Sequence, residues 1–184
     1  MALSKIGTNS LEDLSVTSGK VANDGIGPTQ LDETANYSFS GTVTGAGESN
    51  TPAFLAQPSS NQSVNSDTTT IVTLGTEKLD TNNSFSSNQF TVPSGGAGKY
   101  FLFAQLAFTT ATDFDFLGLK IFKNGSQLND GSPTANFNQS ATQIEFIEDL
   151  SVGDYVDIRI YHNRGSSIDI YSGRTWFGGY LLTT

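Results

Sequence analysis

Apolar and polar residues alternate in short stretches from residue 52 onward, and this period of two is typical of β-strands. A tight hairpin is predicted at Lys123-Asn-Gly-Ser126, a turn at Asn82-Asn83, and a polar loop at Pro58–Asp67. No stretch combines helical periodicity with helix caps. The predicted strands are Pro52–Gln57, Ile71–Leu74, Phe90–Val92 (preceded by Phe85), Tyr100–Thr109, Phe116–Phe122, Ala135–Phe137, Gln143–Phe146, Tyr155–His162, Ile168–Tyr171 and Trp176–Leu182. About ten short strands predict an all-β fold, a jelly-roll β-sandwich.

The closing strand carries bulky apolar side chains on both of its faces. Alternation places Phe177 and Leu181 on one face, and Trp176, Tyr180 and Leu182 on the other. One face can fill the core of the protomer, and the other then requires a second buried surface. Because a large exposed apolar patch marks an interaction site, we expect this surface to be supplied by another copy of the chain.

The strand Tyr100–Thr109 has the same two-sided character. Tyr100 and Leu102 alternate with Phe101 and Phe103, so bulky apolar groups again lie on both faces. The alternative is that Phe103, like Trp176 in the last strand, fills the sandwich of its own subunit. Since a single sandwich has one interior, the pattern favours a face between subunits.

Residues 1–51 follow a different pattern and are predicted to form a separate N-terminal arm. One aliphatic residue stands at every fifth position, with mostly polar residues between: Ile6, Leu11, Val16, Val21, Ile26 and Leu31. Neither strands nor helices have this period, and one apolar residue in five makes no core in a single chain. Several arms wound together would pool these residues around an axis; the alternative is a flexible arm with accidental spacing. The arm ends in a predicted strand, Tyr37–Thr44, and a glycine-containing hinge, Gly45–Asn50. Residues 52–184 form the predicted head.

Composition and charge exclude several classes of function. The net charge of −9, with nine basic residues scattered among eighteen acidic ones, argues against nucleic-acid binding. The absence of cysteine excludes disulfides and thiolate chemistry. Residues 1–6 do not resemble a secretory signal, and no stretch is long and apolar enough to insert in a membrane.

Candidate chemistry in the sequence is sparse. The single histidine, His162, is interpreted as a polar side chain at a strand end, because no triad or zinc site accompanies it. The glycine-rich segment Ser94–Gly98 is predicted to be a turn rather than a phosphate-binding loop. Acidic residues cluster around two segments, Asp113 with Asp115 and Glu145–Asp154, and would either hold calcium or simply keep a surface soluble. We expect no catalytic residue, no cofactor and no enzymatic activity.

The strand order and several motifs resemble the C1q-like domain of the tumour-necrosis-factor superfamily. The resemblance spans residues 52–182 and rests on Pro52-Ala-Phe54, Phe90-Thr-Val-Pro93 with Gly98-Lys-Tyr-Phe-Leu-Phe103, Leu119-Lys-Ile-Phe-Lys-Asn-Gly125, Leu150-Ser-Val-Gly-Asp154 and Phe177-Gly-Gly-Tyr-Leu-Leu182. It implies a jelly roll that forms a tight homotrimer around a threefold axis. By this resemblance Tyr100, Leu102 and Phe177 are core positions, and the trimer interface consists of Phe101, Phe103, Trp176, Tyr180 and Leu182.

The chain departs from that family because it has no collagen-like stalk. Its first 51 residues look instead like the short repetitive arms of bacteriophage fibre and appendage proteins. The leading hypothesis is therefore a trimeric fibre or decoration protein of a virion. Its arm would bind other virion proteins, and its head would bind a host-surface glycan or receptor or decorate the capsid. Two alternatives are a secreted lectin-like or ligand-like trimer and a glycan-cleaving appendage enzyme.

Overall fold

The computed structural model describes residues 50–114, 116–130 and 137–184, with side chains for all of these except 110–114, 129–130 and 137–139. Within these ranges the chain forms thirteen strands and one short 3₁₀ turn, Ser172–Arg174. The strands are β1 (Ala53–Gln57), β2 (Gln62–Val64), β3 (Thr70–Ile71), β4 (Thr76–Asp80), β5 (Phe85–Ser86), β6 (Gln89–Thr91), β7 (Gly98–Phe114), β8 (Leu117–Lys123), β9 (Ser126–Asp130), β10 (Phe137–Leu150), β11 (Tyr155–His162), β12 (Ile168–Ile170) and β13 (Trp176–Thr183). No helix in the described part of the chain could cross a lipid bilayer.

The strands form two sheets that are antiparallel throughout. The first sheet has the order β2-β12-β7-β13-β1-β4, and β10 pairs with β7 as well. The second sheet has the order β5-β6-β11-β8-β9, and β3 pairs with β11. The closing strand β13 lies between β7 and β1, near the centre of the first sheet. The two-sheet sandwich confirms the predicted all-β architecture.

The core lies between the two sheets and is rich in aromatic residues. Phe54 is its centre: its ring stacks on Phe90 with centroids 4.4 Å apart and meets Phe177 edge-on at 5.0 Å. Tyr100 and Leu102 of β7 are also fully buried there. The core assignment of Tyr100, Leu102 and Phe177 is therefore confirmed.

Tyr100 combines complete burial with one satisfied polar group. Its hydroxyl donates a hydrogen bond of 2.6 Å to the carbonyl oxygen of Gly96, in the turn before β7. Burial raises the pKa of the Tyr100 phenol to about 12, because the charged phenolate would lose its hydration. The glycine-rich segment is therefore a turn, as predicted, and its Gly96 carbonyl oxygen accepts the hydrogen bond of a core residue.

The hairpin between β8 and β9 forms as predicted. Asn124 and Gly125 have φ angles of 52° and 77°, and a two-residue hairpin turn of this kind requires positive φ at both positions. Asn124 also links the hairpin to the next loop, since its side-chain nitrogen lies 2.7 Å from Oδ1 of Asp154. Lys123 adds an ion pair of 3.3 Å with the same carboxylate. The motifs Leu119–Gly125 and Leu150–Asp154 are thus joined in space.

Five predictions of strands and loops need correction. The predicted strand Ile71–Leu74 is reduced to β3, which ends at Ile71. The predicted loop Pro58–Asp67 contains β2, which pairs with β12. The charged strand β4 was not predicted, because one leucine among charged residues does not give an alternating apolar pattern. The hairpin partner β9 was also missed, since its sequence is mostly polar. The predicted strands Ala135–Phe137 and Gln143–Phe146 are replaced by one long strand, β10, within the described residues.

His162 ends β11, as predicted, but its burial was not expected. The residue is completely buried at the end of β11. Its Nε2 lies 3.3 Å from the carbonyl oxygen of Val64, and its Nδ1 accepts a long hydrogen bond of 3.5 Å from the amide of Arg164. Burial lowers the pKa of the imidazole. The histidine therefore joins β2 to the loop after β11 as a neutral side chain.

Several predictions fall outside the described residues. These are the arm positions Ile6, Leu11, Val16, Val21, Ile26 and Leu31, the strand Tyr37–Thr44, and the residues Asp115 and Ala135. The boundary between arm and head at residues 51 and 52 also stays a prediction.

Candidate trimer interface

The outer face of the first sheet carries the residues that the sequence assigned to contacts between subunits. Along β7, Tyr100, Leu102 and Ala104 are buried in the core, so alternation directs Phe101 and Phe103 away from it. Both phenylalanines are only half-buried within the protomer. The structure thus excludes the alternative in which Phe103 fills the sandwich of its own subunit.

The neighbouring strand β13 continues the same face. Tyr180 pairs directly with Phe101, and their ring centroids are 5.7 Å apart. Trp176 pairs with Gln105, and Leu182 lies in a bulge between the paired residues Leu181 and Thr183. Trp176, Tyr180 and Leu182 are all half-buried. The five predicted interface residues therefore lie on two adjacent strands of one sheet, and four of them share its outer face by register.

Three flanking strands extend this face with aliphatic residues that sequence reasoning missed. On β1, Leu55 pairs with Gly178, and on β4, Leu79 pairs with Leu55. On the opposite side, Ile147 of β10 pairs with Phe101. Leu79 and Ile147 are 47% and 55% exposed, high values for large apolar side chains. For Leu79 the sequence offered only a single apolar residue between two charged neighbours.

We call this surface the apolar face and define it by its members: Leu55, Leu79, Phe101, Phe103, Ile147, Trp176, Tyr180 and Leu182. Charged groups lie at its margin. Lys99 and Asp149 form an exposed ion pair of 2.6 Å where β7 begins and β10 ends, and Glu145 pairs with Phe103 on the outermost strand. Beyond Phe103 the polar pair Gln105 and Gln143 lies beside Trp176. An apolar centre with a polar rim is the usual anatomy of a protein–protein interface.

A glycine shapes the centre of the apolar face. Gly178 pairs with Phe103, and the ring of Phe103 lies over the glycine backbone. A Cβ atom at position 178 would stand 2.6 Å from Cζ of Phe103 and 3.0 Å from the carbonyl oxygen of Phe54. Because residue 178 has no side chain, the ring of Phe103 can lie close to the backbone of the sheet. The apolar face can then pack against another surface.

The candidate calcium ligands are arranged differently from a metal site. Glu148 and Asp154 both form ion pairs with Lys123, at 3.2 Å and 3.3 Å. Hydrogen bonds from Asn124 and from the amide of Ser151 lower the pKa of Asp154. Among the described residues no three metal-ligating side chains converge. Glu148 and Asp154 therefore connect neighbouring segments of the chain through Lys123.

Comparisons with known proteins agree with the fold. The sequence matches no protein-family model and no curated protein. Among solved structures, murine APRIL at pH 8.0 superposes with a TM-score of 0.54 at 17% identity, covering 71% of this chain and 98% of APRIL. Eiger TNF from S. frugiperda superposes with a TM-score of 0.52 at 11% identity, covering 71% and 92%. The globular domain of zebrafish complement 1qA protein gives a TM-score of 0.49 at 18% identity, covering 72% and 98%. The superpositions on murine APRIL and Eiger TNF show that the described domain has a jelly-roll fold of the tumour-necrosis-factor type, and the likeness concerns the fold alone.

Proposed function

We propose that the chain is a non-enzymatic, homotrimeric binding module whose apolar faces meet around a threefold axis. The observation that carries this proposal is the apolar face itself, an aromatic and aliphatic surface on the outside of a sandwich whose core is already complete. Leaving such a surface in water is unfavourable by about 25 cal/mol for each Å² that a partner could cover. The number of three subunits comes from the resemblance to the tumour-necrosis-factor superfamily, whose jelly rolls form tight trimers.

The finer proposal places this trimer on a bacteriophage virion. The arm, residues 1–51, would bind other virion proteins, and the head would face outward to bind a host surface or decorate the capsid. Support comes from the five-residue spacing of aliphatic residues in the arm and from the absence of cysteine, which suits assembly inside a bacterium. Three identical arms would suit a threefold or pseudo-threefold attachment site.

The location can be tested by immunogold labelling of particles purified from cells that encode the chain. Regular labelling of intact particles is the expected result. Recovery of the protein only from the medium, free of particles, would replace the virion proposal with the alternative of a secreted lectin-like trimer.

The sole tryptophan gives a direct test of the apolar face. Trp176 is the only tryptophan of the chain, so emission excited selectively through tryptophan, without the six tyrosines, reports on this surface. We expect blue-shifted emission in the assembled wild type and a red shift on dilution or in Phe103→Asp, because separation of the subunits exposes the indole to water. Emission that depends neither on concentration nor on this substitution would contradict the proposal.

A further inference from the structure

The outer face of the second sheet holds an arginine in an unusually fixed position. Arg159 lies on β11 between the core residues Ile158 and Ile160, so its side chain points away from the core. Its guanidinium carbon lies 3.9 Å from the ring centroid of Phe122. The cation therefore lies on the aromatic ring, where cation–π attraction limits its motion.

A buried carboxylate holds the same guanidinium from one edge. Nε of Arg159 donates to Oδ1 of Asp157 at 2.7 Å, and one terminal nitrogen donates to Oδ2 at 3.0 Å. The side chain of Asp157 is 5% exposed, whereas that of Arg159 is 21% exposed. Asp157 thus fixes the orientation of the arginine from below. The other terminal nitrogen, Nη1, has no acceptor in the described part of the chain.

The ion pair alone does not account for this arrangement. A buried ion pair contributes little net stability, because the loss of hydration offsets the attraction. Arg159 also pairs across the strands with Lys120, and like charges in directly opposed positions are destabilising. Two of the nine basic residues of an acidic chain therefore lie side by side, and the ammonium group of Lys120 also donates a hydrogen bond of 3.1 Å to Oε1 of Gln127. Their adjacency indicates a role toward an outside anion.

We propose that Arg159 binds the carboxylate of an acidic saccharide on the outer face of the second sheet. This inference rests on the proposed function, since it identifies the class of ligand that an outward-facing head would bind. The terminal nitrogens of a guanidinium form a planar fork that matches the two oxygens of a carboxylate. Asp157 acts as a positioning residue, because it occupies the Nε edge and directs the remaining N–H groups outward.

The surroundings favour a saccharide over a peptide strand. A peptide that adds a strand needs an open sheet edge, whereas Arg159 lies within a sheet, between β3 and β8. Ile71, its partner on β3, is 44% exposed and offers an aliphatic surface. The ring of Tyr161 lies two residues further along the same face, beneath the ammonium group of Lys120 at 5.9 Å. A sugar that carries a carboxylate could place its ring against the apolar groups and its carboxylate against the charged groups.

The test is calorimetric titration of the full-length chain with an oligosaccharide that contains glucuronate. The controls are the same oligosaccharide with its carboxyl groups reduced and a phosphorylated sugar. We expect the glucuronate ligand to bind the wild type and the reduced ligand not to bind. Arg159→Lys keeps the charge but loses the fork, so affinity should fall by about tenfold or more. Arg174→Lys, which alters an exposed arginine outside the second sheet, should bind like the wild type.

Asp157→Asn keeps the shape of the positioning residue but removes its charge, and it should weaken binding while the mass of the assembly stays unchanged. No binding of the glucuronate ligand at millimolar concentration, equal binding by Arg159→Lys, or binding of the phosphorylated sugar alone would overturn the inference. The molar mass of each variant in solution is also measured by light scattering. A trimeric wild type that does not bind the glucuronate ligand contradicts this inference alone, whereas a monomeric wild type contradicts the proposed function.

Discussion

The ring of Phe103 lies directly over Gly178, with its Cζ atom 2.6 Å from the position that a Cβ of residue 178 would occupy. The two residues are paired across β7 and β13 on the outer side of the first sheet. On the inner side, the next glycine, Gly179, makes room for Leu102, whose Cδ2 atom would lie 2.7 Å from an added Cβ. The glycine pair at the centre of β13 therefore permits close packing on both faces of one sheet.

Replacement of Gly178 by alanine should lower the free energy of unfolding by about 1–3 kcal/mol, because the new methyl group displaces the ring of Phe103 and approaches the backbone of Phe54. Urea unfolding at fixed protein concentration measures the loss. The second variant, Gly178→Ala with Phe103→Leu, should recover part of it, because the smaller side chain leaves room for the methyl group. Strictly additive effects of the two substitutions would show that the ring and the glycine are not coupled.

A charge on the apolar face should separate the subunits. Phe103→Asp places a carboxylate at the centre of the proposed interface, where an unpaired buried charge costs about 3–5 kcal/mol. Size-exclusion chromatography with light scattering should find a smaller species than in the wild type. Ile71→Asp is the control, because it places the same charge at an exposed apolar residue on the second sheet. If both variants keep the wild-type mass, the apolar face is not the interface.

The ion-pair cluster around Asp154 should stabilise the head at neutral pH. Asp154→Asn removes the charge that pairs with Lys123 and one of the two oxygens that accept from Asn124 and Ser151, and thermal or urea unfolding should detect a loss of about 1–3 kcal/mol. The lowered pKa of Asp154 means that its contribution is complete above the ordinary aspartate pKa and disappears as the pH falls through the lowered value. The control Asp169→Asn alters an exposed aspartate of β12 and should change stability little. Equal losses in the two variants would contradict the role of the cluster.

His162 should make stability depend on pH in mildly acidic solution. Its pKa is lowered in the folded state, so the unfolded chain binds a proton first, and stability falls as the pH drops below about 6.5. Protonation also places a hydrogen on Nδ1, which faces the amide hydrogen of Arg164. Urea unfolding at pH 7.5 and 5.5 should find a weaker fold at the lower pH, and His162→Gln should lose most of this difference. A wild type equally stable at both pH values would refute this assignment.

The parts of the fold that follow an alternating apolar pattern could be predicted from the sequence. Phe101 and Phe103 are separated from Tyr100 and Leu102 by alternation alone, and the structure places the two pairs on opposite faces. The hairpin at Asn124-Gly125 was equally predictable, because few residues other than glycine and asparagine tolerate positive φ.

Residues whose position depends on tertiary pairing could not be predicted. Leu79 joins the apolar face only because β4 pairs with β1, and a single leucine among charged residues gives no periodic signal. Ile147 joins it because β10 is one continuous strand beside β7. The contact between Arg159 and Asp157 could not be predicted, because it depends on side-chain rotamers and on burial. Residues of opposite charge two positions apart are also common on exposed strands, so the sequence pattern alone does not indicate such a contact. The sequence also offered no reason to expect that His162 would be completely buried.

The apolar faces of three identical chains should cover one another, and sedimentation velocity of the full-length wild type over a wide dilution series measures whether they do. We expect one species with three times the 19.6 kDa mass of the chain, stable down to low concentration. A homogeneous species of 19.6 kDa at every concentration would contradict it.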